Sequence, residues 1–184
     1  MYWTELLITI QSAVIQEGLR LSSIVTTRLP RIAPDEVLEY MQWQIPAGVC
    51  EARYMELLVR RRYLLGRSNS QTPVSMSTYF ILRDPEIFPE PEEFRPERWL
   101  LDPDDLKRLQ RFLVPSSKGT AGCLGQNLNA AYMYVICGAL LRKFDLALHD
   151  TTIRNVEMTR DNFIGQTDPG MNIVRVRALK EYLY

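Results

Sequence analysis

Three glycines surround one cysteine in the stretch SSKGTAGCLGQNLNAA, residues 116–131. Gly119, Gly122 and Gly125 lie within seven residues, and such spacing marks tight turns or a close approach of the backbone to another group. A predicted helix follows Cys123 at once, and its free N–H groups and dipole would stabilise a thiolate. The pattern fits a metal ligand, a nucleophile, or a buried cysteine in a turn.

The remaining cysteines and the histidine narrow these alternatives. Cys50, Cys123 and Cys137 are widely spaced and form no CxxC pair, so they predict neither a disulfide framework nor a zinc site. His149 is the only histidine, which excludes a histidine-rich metal site. A Cys–His catalytic pair would require His149 itself as the base.

The composition of the 184 residues predicts one globular domain with a sizeable core. Lys plus Arg and Asp plus Glu number 22 each, so the charge balance indicates no nucleic acid or other polyanionic partner. No segment is long and apolar enough to span a bilayer. The first residues carry Glu5 and no basic start, which is untypical of a signal peptide.

Periodicity predicts the elements that position the cysteine loop. Residues 12–25 have the apolar spacing of a helix, and a buried helix of four or more turns is expected from about Asn127. Residues 84–103 are rich in proline and acidic residues, which predicts an irregular connection. Alternating or β-branched runs predict strands in residues 37–46, 72–82 and 172–179.

Residues 49–71 differ in composition from their surroundings, with five arginines against two glutamates. One interpretation is a basic amphipathic helix for a membrane surface or an anionic partner, which would make the chain an interaction module. We favour the other interpretation, a solvated insertion.

Three separated motifs occur in an order that identifies a family: EGLR at residues 17–20, FRPERW at 94–99 and KGTAGCLG at 118–125. Together they resemble the C-terminal portion of the cytochrome P-450 family, the haem-thiolate monooxygenases, and in particular its fungal branch. The resemblance runs from about Ser12 to the C-terminus and leaves out residues 49–71. It implies an α+β fold, the proximal part of the P-450 fold, mainly helical with a small mixed sheet.

The resemblance also implies roles for single residues around a haem cofactor. Cys123 matches the thiolate ligand of the haem iron, which in this family favours O–O cleavage. Gly119 and Gly125 match the glycines that let the loop pass close beneath the porphyrin, and the following helix would lie along the proximal face. Arg31 is the candidate partner of a haem propionate.

A charge network is implied by the first two motifs. Glu17 and Arg20 match a helix pair that, with Arg98, forms a buried network locking the proline-rich connection against the core. One carboxylate between two guanidiniums has favourable geometry for several charge-assisted hydrogen bonds. Without the motif order, these residues would be interpreted as surface salt bridges of little energetic value.

By resemblance, the chain is a monooxygenase that inserts one atom of O₂ into a small organic substrate, with electrons from an NADPH-dependent reductase. Members of this type are usually anchored to the endoplasmic reticulum, but the chain contains no such anchor, so its location is left open. The substrate-binding, distal portion is also absent from these 184 residues. We therefore expect the chain to be inactive alone, and the alternative hypothesis is a catalytically inactive remnant or misannotated gene product that binds haem weakly or not at all.

The chain departs from the family pattern at three further positions. Ala121 stands where a basic propionate partner is usual, Ser116 replaces an aromatic residue, and Tyr132 replaces an acidic one. Residues 49–71 interrupt the pattern between two strands, and they could be encoded by a short retained intron. Residues 1–11 precede the start of the match, so we suspect that they too are encoded by retained intron sequence. The predicted haem-thiolate domain is then residues 12–184, interrupted at 49–71.

Overall fold

The structure is a computed structural model that describes residues 3–22, 24–31, 36–40, 42–45, 74–119 and 122–182. The chain forms two compact units, one of Met1–Thr27 with Ser77–Tyr184 and one of Arg28–Met76. The predicted insertion, residues 49–71, lies outside the described residues, as does Ala121.

The first unit begins with helix α1, Trp3–Leu21, which carries Glu5 in its first turn and Arg20 in its last. Both charges complement the helix dipole. The predicted helix over residues 12–25 is confirmed, but it starts nine residues earlier, at Trp3, and ends four residues earlier, at Leu21. Ala13 is buried on one face of the helix together with two charged side chains, Glu17 and Arg20, and Ile15 is buried on the opposite face.

Gly18 lies inside α1, and a Cβ built at this position would have no atom within 4 Å. Glycine in a helix loses more backbone entropy on folding than alanine does. We therefore expect Gly18→Ala to raise the free energy of unfolding by about 0.4–1 kcal/mol, measured by urea denaturation. Gly165→Ala is the contrasting variant, since its methyl group would collide with Met158 and with Thr26, and it should be destabilising. An equal effect of both substitutions would contradict the described packing.

The second unit contains two antiparallel strand pairs. Strand β1, Leu29–Arg31, pairs with β4, Val74–Met76. Strand β2, Leu38–Tyr40, pairs with β3, Trp43–Ile45. The prediction of one strand over residues 37–46 is wrong, because the chain turns at Gln42 and the two arms form a hairpin.

The predicted strand over residues 72–82 is also wrong beyond Met76. Helix α2, Thr78–Ile81, follows instead. The hydroxyl of Ser77 donates to the carbonyl of Thr26 at 2.6 Å, and that of Thr78 donates to the carbonyl of Val25 at 3.1 Å. These tertiary bonds hold the segment against the chain that follows α1, and they override its β propensity.

Residues 84–103 are irregular, as the sequence predicts, apart from a 3₁₀ turn at Pro96–Trp99. Helix α3, Pro103–Gln110, follows, and Asp102 caps it by accepting from the backbone N–H groups of Asp104 and Asp105. A core cluster of Ala13, Phe88 and Trp99 lies between α1 and this region. Partly buried apolar side chains surround the cluster: Ile87, Leu106, Leu109 and Leu113.

Helix α4, Gln126–Lys143, starts within one residue of its predicted position and ends, as predicted, with Arg142 and Lys143. The prediction that it is buried is wrong for the described chain, because none of its 18 residues is buried. Helix α1 and the following strand pack against it, which leaves its other faces open. Large apolar side chains are therefore exposed along it: Leu128, Tyr132, Val135, Ile136, Leu140 and Leu141.

The C-terminal part contains two more antiparallel pairs: β5, Phe144–Leu148, with β8, Val176–Glu181, and β6, Arg160–Asn162, with β7, Ile164–Gln166. The predicted closing strand is present, but it begins at Val176 rather than residue 172. All four strand pairs in the described part are antiparallel, so the predicted mixed sheet is not found there. Of the helices described, none combines the length and hydropathy needed to cross a membrane.

Candidate functional site

The cysteine loop is closed by its own backbone. The N–H of Cys123 donates to the carbonyl of Ser116 at 2.9 Å, and the N–H of Gly122 donates to that of Gly119 at 3.0 Å. Gly119 has a φ of +71°, and a Cβ at Gly122 would stand 3.1 Å from the carbonyl oxygen of Gly119. The turn therefore requires glycine at both positions.

The thiol of Cys123 is exposed at the point where the loop meets α4. Gly125 occupies the N-cap position, and no described side chain caps this end of the helix. A Cβ at Gly125 would lie 3.9 Å from the Cys123 sulfur, so the glycine leaves one side of the sulfur bare. The sulfur is therefore open to an approaching ligand at the start of the helix.

Lys118 ties the loop to the end of α3. Its ammonium group donates to the carbonyl of Arg111 at 2.6 Å and lies 3.4 Å from that of Gln110. A cation at this position complements the C-terminal end of the helix dipole. The preceding residue, Ser117, has a φ of +60°, a backbone conformation that is unfavourable for residues other than glycine. The loop thus has a strained backbone at Ser117 and is held to the end of α3 by the hydrogen bonds of Lys118.

The other predicted haem contact, Arg31, lies in the second unit. The structure places its backbone opposite Val74 in the β1–β4 pair. Tyr132, which stands at a usually acidic position, is exposed on α4.

The structure brings Glu17, Arg20 and Arg98 together. Both oxygens of Glu17 accept from Arg20, from Nη2 to Oε1 and from Nε to Oε2, each at 2.9 Å. Arg98 Nε donates to Oε1, also at 2.9 Å. Glu17 and Arg20 are fully buried, and Arg98 is nearly so. This is a buried charge network and not a set of surface salt bridges.

The two guanidinium groups also bind backbone carbonyls of the proline-rich connection and of Leu82 just before it. Arg20 donates to the carbonyls of Leu82 and Pro91 at 2.7 Å, and to that of Glu93 at 3.2 Å. Arg98 donates to the carbonyls of Pro89 and Glu90 at 3.0 and 3.3 Å. The irregular segment has few backbone partners of its own, so these arginines satisfy acceptors that a helix or sheet would otherwise satisfy.

Two donors to Glu17 were not predicted. The indole N–H of Trp99 donates to Oε2 at 2.9 Å, and the backbone N–H of Arg95 donates to Oε1 at 3.0 Å. Both residues belong to the FRPERW motif, and this motif was the only feature of the sequence that could have indicated them as donors to Glu17. Which motif residue faces the carboxylate depends on the 3₁₀ turn, and the turn is a tertiary feature.

The environment of Glu17 keeps it ionised. Burial raises the pKa of Glu17, but hydrogen bonds from Arg20, the Arg95 N–H and Trp99 oppose this effect. Their sum, with the charge of Arg20, places the pKa below its ordinary value of 4.5. The network is therefore anionic at its centre and cationic around it.

A shallow polar cleft of about 470 Å³ lies beside the β6–β7 hairpin, and Arg160, Asp168 and Asn172 are among its lining residues. Arg160 donates to the carbonyl of Thr167, and Asp168 accepts from the hydroxyl of Thr159. None of the predicted site residues lines this cleft.

Comparisons with known proteins agree with the motif order. The family model described as cytochrome P450 matches residues 69–173. A cytochrome P450 monooxygenase, claJ of Penicillium crustosum, is 41% identical over 165 residues, which are 90% of this chain and 32% of that protein. The monooxygenase TRI4 of Trichoderma arundinaceum is 34% identical over 92% of this chain and 30% of its own length.

A solved structure shows the same fold. The retinoic acid-bound cyanobacterial CYP120A1 matches with a TM-score of 0.63 and 22% identity, over 92% of this chain and 32% of that one. The chain thus spans about a third of the length of the proteins it matches. By its motifs, by the family model and by its fungal relatives, the chain belongs to the cytochrome P450 family.

Proposed function

We propose that this chain forms the cysteine-ligand portion of a haem-dependent monooxygenase, with Cys123 as the axial thiolate. The observation that carries the proposal is the exposed sulfur held at the end of a closed loop, beside the uncapped N-terminus of α4. When bound through a thiolate, haem supplies the O₂ activation by which one oxygen atom is inserted into an organic substrate. Electrons for this reaction would come from an NADPH-dependent reductase.

The donor set of the described residues fits a haem better than a metal ion held by the protein alone. Within the described ranges, no group of three or more His, Cys, Asp or Glu side chains could hold a metal ion. A porphyrin brings four nitrogen ligands of its own, so a single protein thiolate is sufficient. Cys123 is exposed, which gives a planar ligand access to the sulfur.

The other residues of the chain would support this ligand indirectly. Gly119 and Gly125 present no side chain to an approaching ring. The positive charge of Arg31 suits a propionate, and this role rests on the family resemblance. The Glu17 network fixes the irregular segment from which α3 and the cysteine loop continue.

Replacement of Cys123 tests the proposal. The haem-loaded full chain, reduced and exposed to carbon monoxide, should show the thiolate Soret band, and Cys123→Ala should abolish it. Cys137→Ser is the matched control, because Cys137 is a half-buried cysteine within α4 and not in the loop. Its spectrum should equal that of the parent.

Two results would overturn the assignment. A thiolate band that persists in Cys123→Ala would place the ligand elsewhere. A folded parent chain that takes up no haem would favour the alternative, a remnant without cofactor binding.

A further inference from the structure

Helix α1 is hydrogen-bonded to α4 by Gln11, which belongs to the segment 1–11 that the sequence alone left in doubt. Gln11 is half-buried, and its Nε2 donates to the backbone carbonyl of Tyr134 at 2.6 Å, across 123 residues of chain. A carbonyl oxygen has two lone pairs, so it can accept this bond in addition to its helical one.

A glycine lies at the point of contact. Gly138 is the only glycine within α4, and a Cβ built there would stand 3.3 Å from Gln11 Nε2. That distance is tighter than most real contacts, so the amide would have to move by a few tenths of an ångström. Glycine destabilises a helix relative to alanine, and the close contact with the Gln11 side chain explains why a larger residue is absent here.

We propose that Gln11 and Gly138 form a crossing contact that positions α4, and through its N-terminus the Cys123 loop, against α1. The part that concerns the ligand rests on the proposed function. The contact also assigns Gln11 to the folded unit, in contrast to the expectation that residues 1–11 are foreign to it. Gln11 is a positioning residue, since it touches α4 and not the cysteine.

The described packing of α4 makes this contact important. No residue of the helix is buried, and its main packing partners among the described elements are α1 and β5. A helix with so little buried surface depends more than others on each specific tie to its neighbours. Loss of the Gln11 bond should therefore loosen α4 while leaving the Glu17 network and the Trp99 core in place.

A double-mutant cycle on the full chain tests the contact without haem. Gln11→Ala should speed hydrogen exchange of the amides of α4 by roughly fivefold, with no change around Trp99. Gly138→Ala in the parent should give little protection, because the methyl group displaces the Gln11 amide. In the Gln11→Ala background the same substitution should slow exchange by roughly fivefold, the ordinary benefit of alanine over glycine in a helix. Gly18→Ala, whose methyl group meets no neighbour, is the control. It should slow hydrogen exchange of the α1 amides by the same factor in the parent and in the Gln11→Ala background.

Gln11→Met separates the hydrogen bond from the bulk of the side chain, because methionine has a similar size and no donor. It should behave like Gln11→Ala in exchange of α4. In the haem-loaded chain, both variants should lower the fraction of the carbon monoxide complex that shows the thiolate band by about two- to fivefold at equal folded population.

Additive effects of Gln11→Ala and Gly138→Ala, or exchange in Gln11→Ala equal to that of the parent, would overturn the crossing contact. Coupled exchange in variants whose thiolate band is unchanged would overturn its role in positioning Cys123. If the double-mutant cycle shows coupling but the haem-loaded parent shows no thiolate band, the proposed haem ligation fails and the crossing contact stands.

Discussion

Glu17→Gln should destabilise the protein by about 3–5 kcal/mol, because it removes the only carboxylate from a buried cluster of guanidinium groups. The carboxylate accepts from Arg20, Arg98, Trp99 and the Arg95 backbone N–H. An amide of the same shape offers one acceptor oxygen, so its NH₂ group would face donors on the other side. The buried charge of Arg20 would also be left without its counter-charge.

Urea denaturation, with the intrinsic fluorescence and circular dichroism followed together, measures this loss. Glu86→Gln is the control, since it removes the same charge from an exposed side chain of the irregular segment. The control should change the free energy of unfolding by less than about 0.5 kcal/mol. Equal stability of the two variants would contradict the network's structural role.

The dependence of stability on pH gives a second measurement of the same group. The pKa of Glu17 is lower in the folded chain than its ordinary value of 4.5. Its contribution is therefore complete above pH 4.5 and is lost as the pH falls through the lowered pKa. The parent should lose stability in acid more steeply than a Glu17→Gln variant, in which this titration is absent.

Trp99→Ala should cost about 3–5 kcal/mol, a loss typical of a large aromatic side chain removed from a core. Trp99 is 2% exposed, and its ring lies 6.1 Å from that of Phe88, centroid to centroid, in the cluster that includes Ala13. Its N–H also donates to the carboxylate of Glu17. The side chain thus joins the apolar core to the charge network.

Trp99→Phe separates the two contributions. It keeps an aromatic ring in the core but lacks the indole donor, so it should cost less than alanine while retaining the loss of a charge-assisted bond, about 1.5–3 kcal/mol. Phe94→Ala, at a residue that is 54% exposed in the same motif, is the control for aromatic truncation. A Trp99→Phe variant as stable as the parent would show that the bond to Glu17 contributes nothing.

The sequence predicted the elements that depend on local pattern. The helix that carries Glu17, the irregular segment after Asp84 and the start of α4 follow from apolar spacing, proline content and the glycine loop. The grouping of Glu17, Arg20 and Arg98 follows from motif order. Long, strongly patterned segments and short motifs of a known family are thus the parts that a single sequence specifies.

Features that depend on distant partners could not be predicted in this way. Residues 72–82 have β-branched and aromatic side chains, but the hydroxyls of Ser77 and Thr78 bind carbonyls about 50 residues away and end the strand. The apolar composition of α4 predicted burial, although composition does not say which part of a chain covers a helix. The crossing of Gln11 with Gly138 has no pattern in the sequence.

The hydrogen bond between Glu17 and Arg98 closes a chain loop of 81 residues, and residues 49–71 lie inside it. The entropy of closing a flexible loop grows only with the logarithm of its length. The β1–β4 pair closes a smaller loop around those 23 residues, 43 residues from Arg31 to Val74, and removing them would change its closure free energy by only about 0.7 kcal/mol. Because this dependence is logarithmic, the number of residues between two paired strands has little effect on stability, and this stretch can gain or lose residues in evolution at little thermodynamic cost.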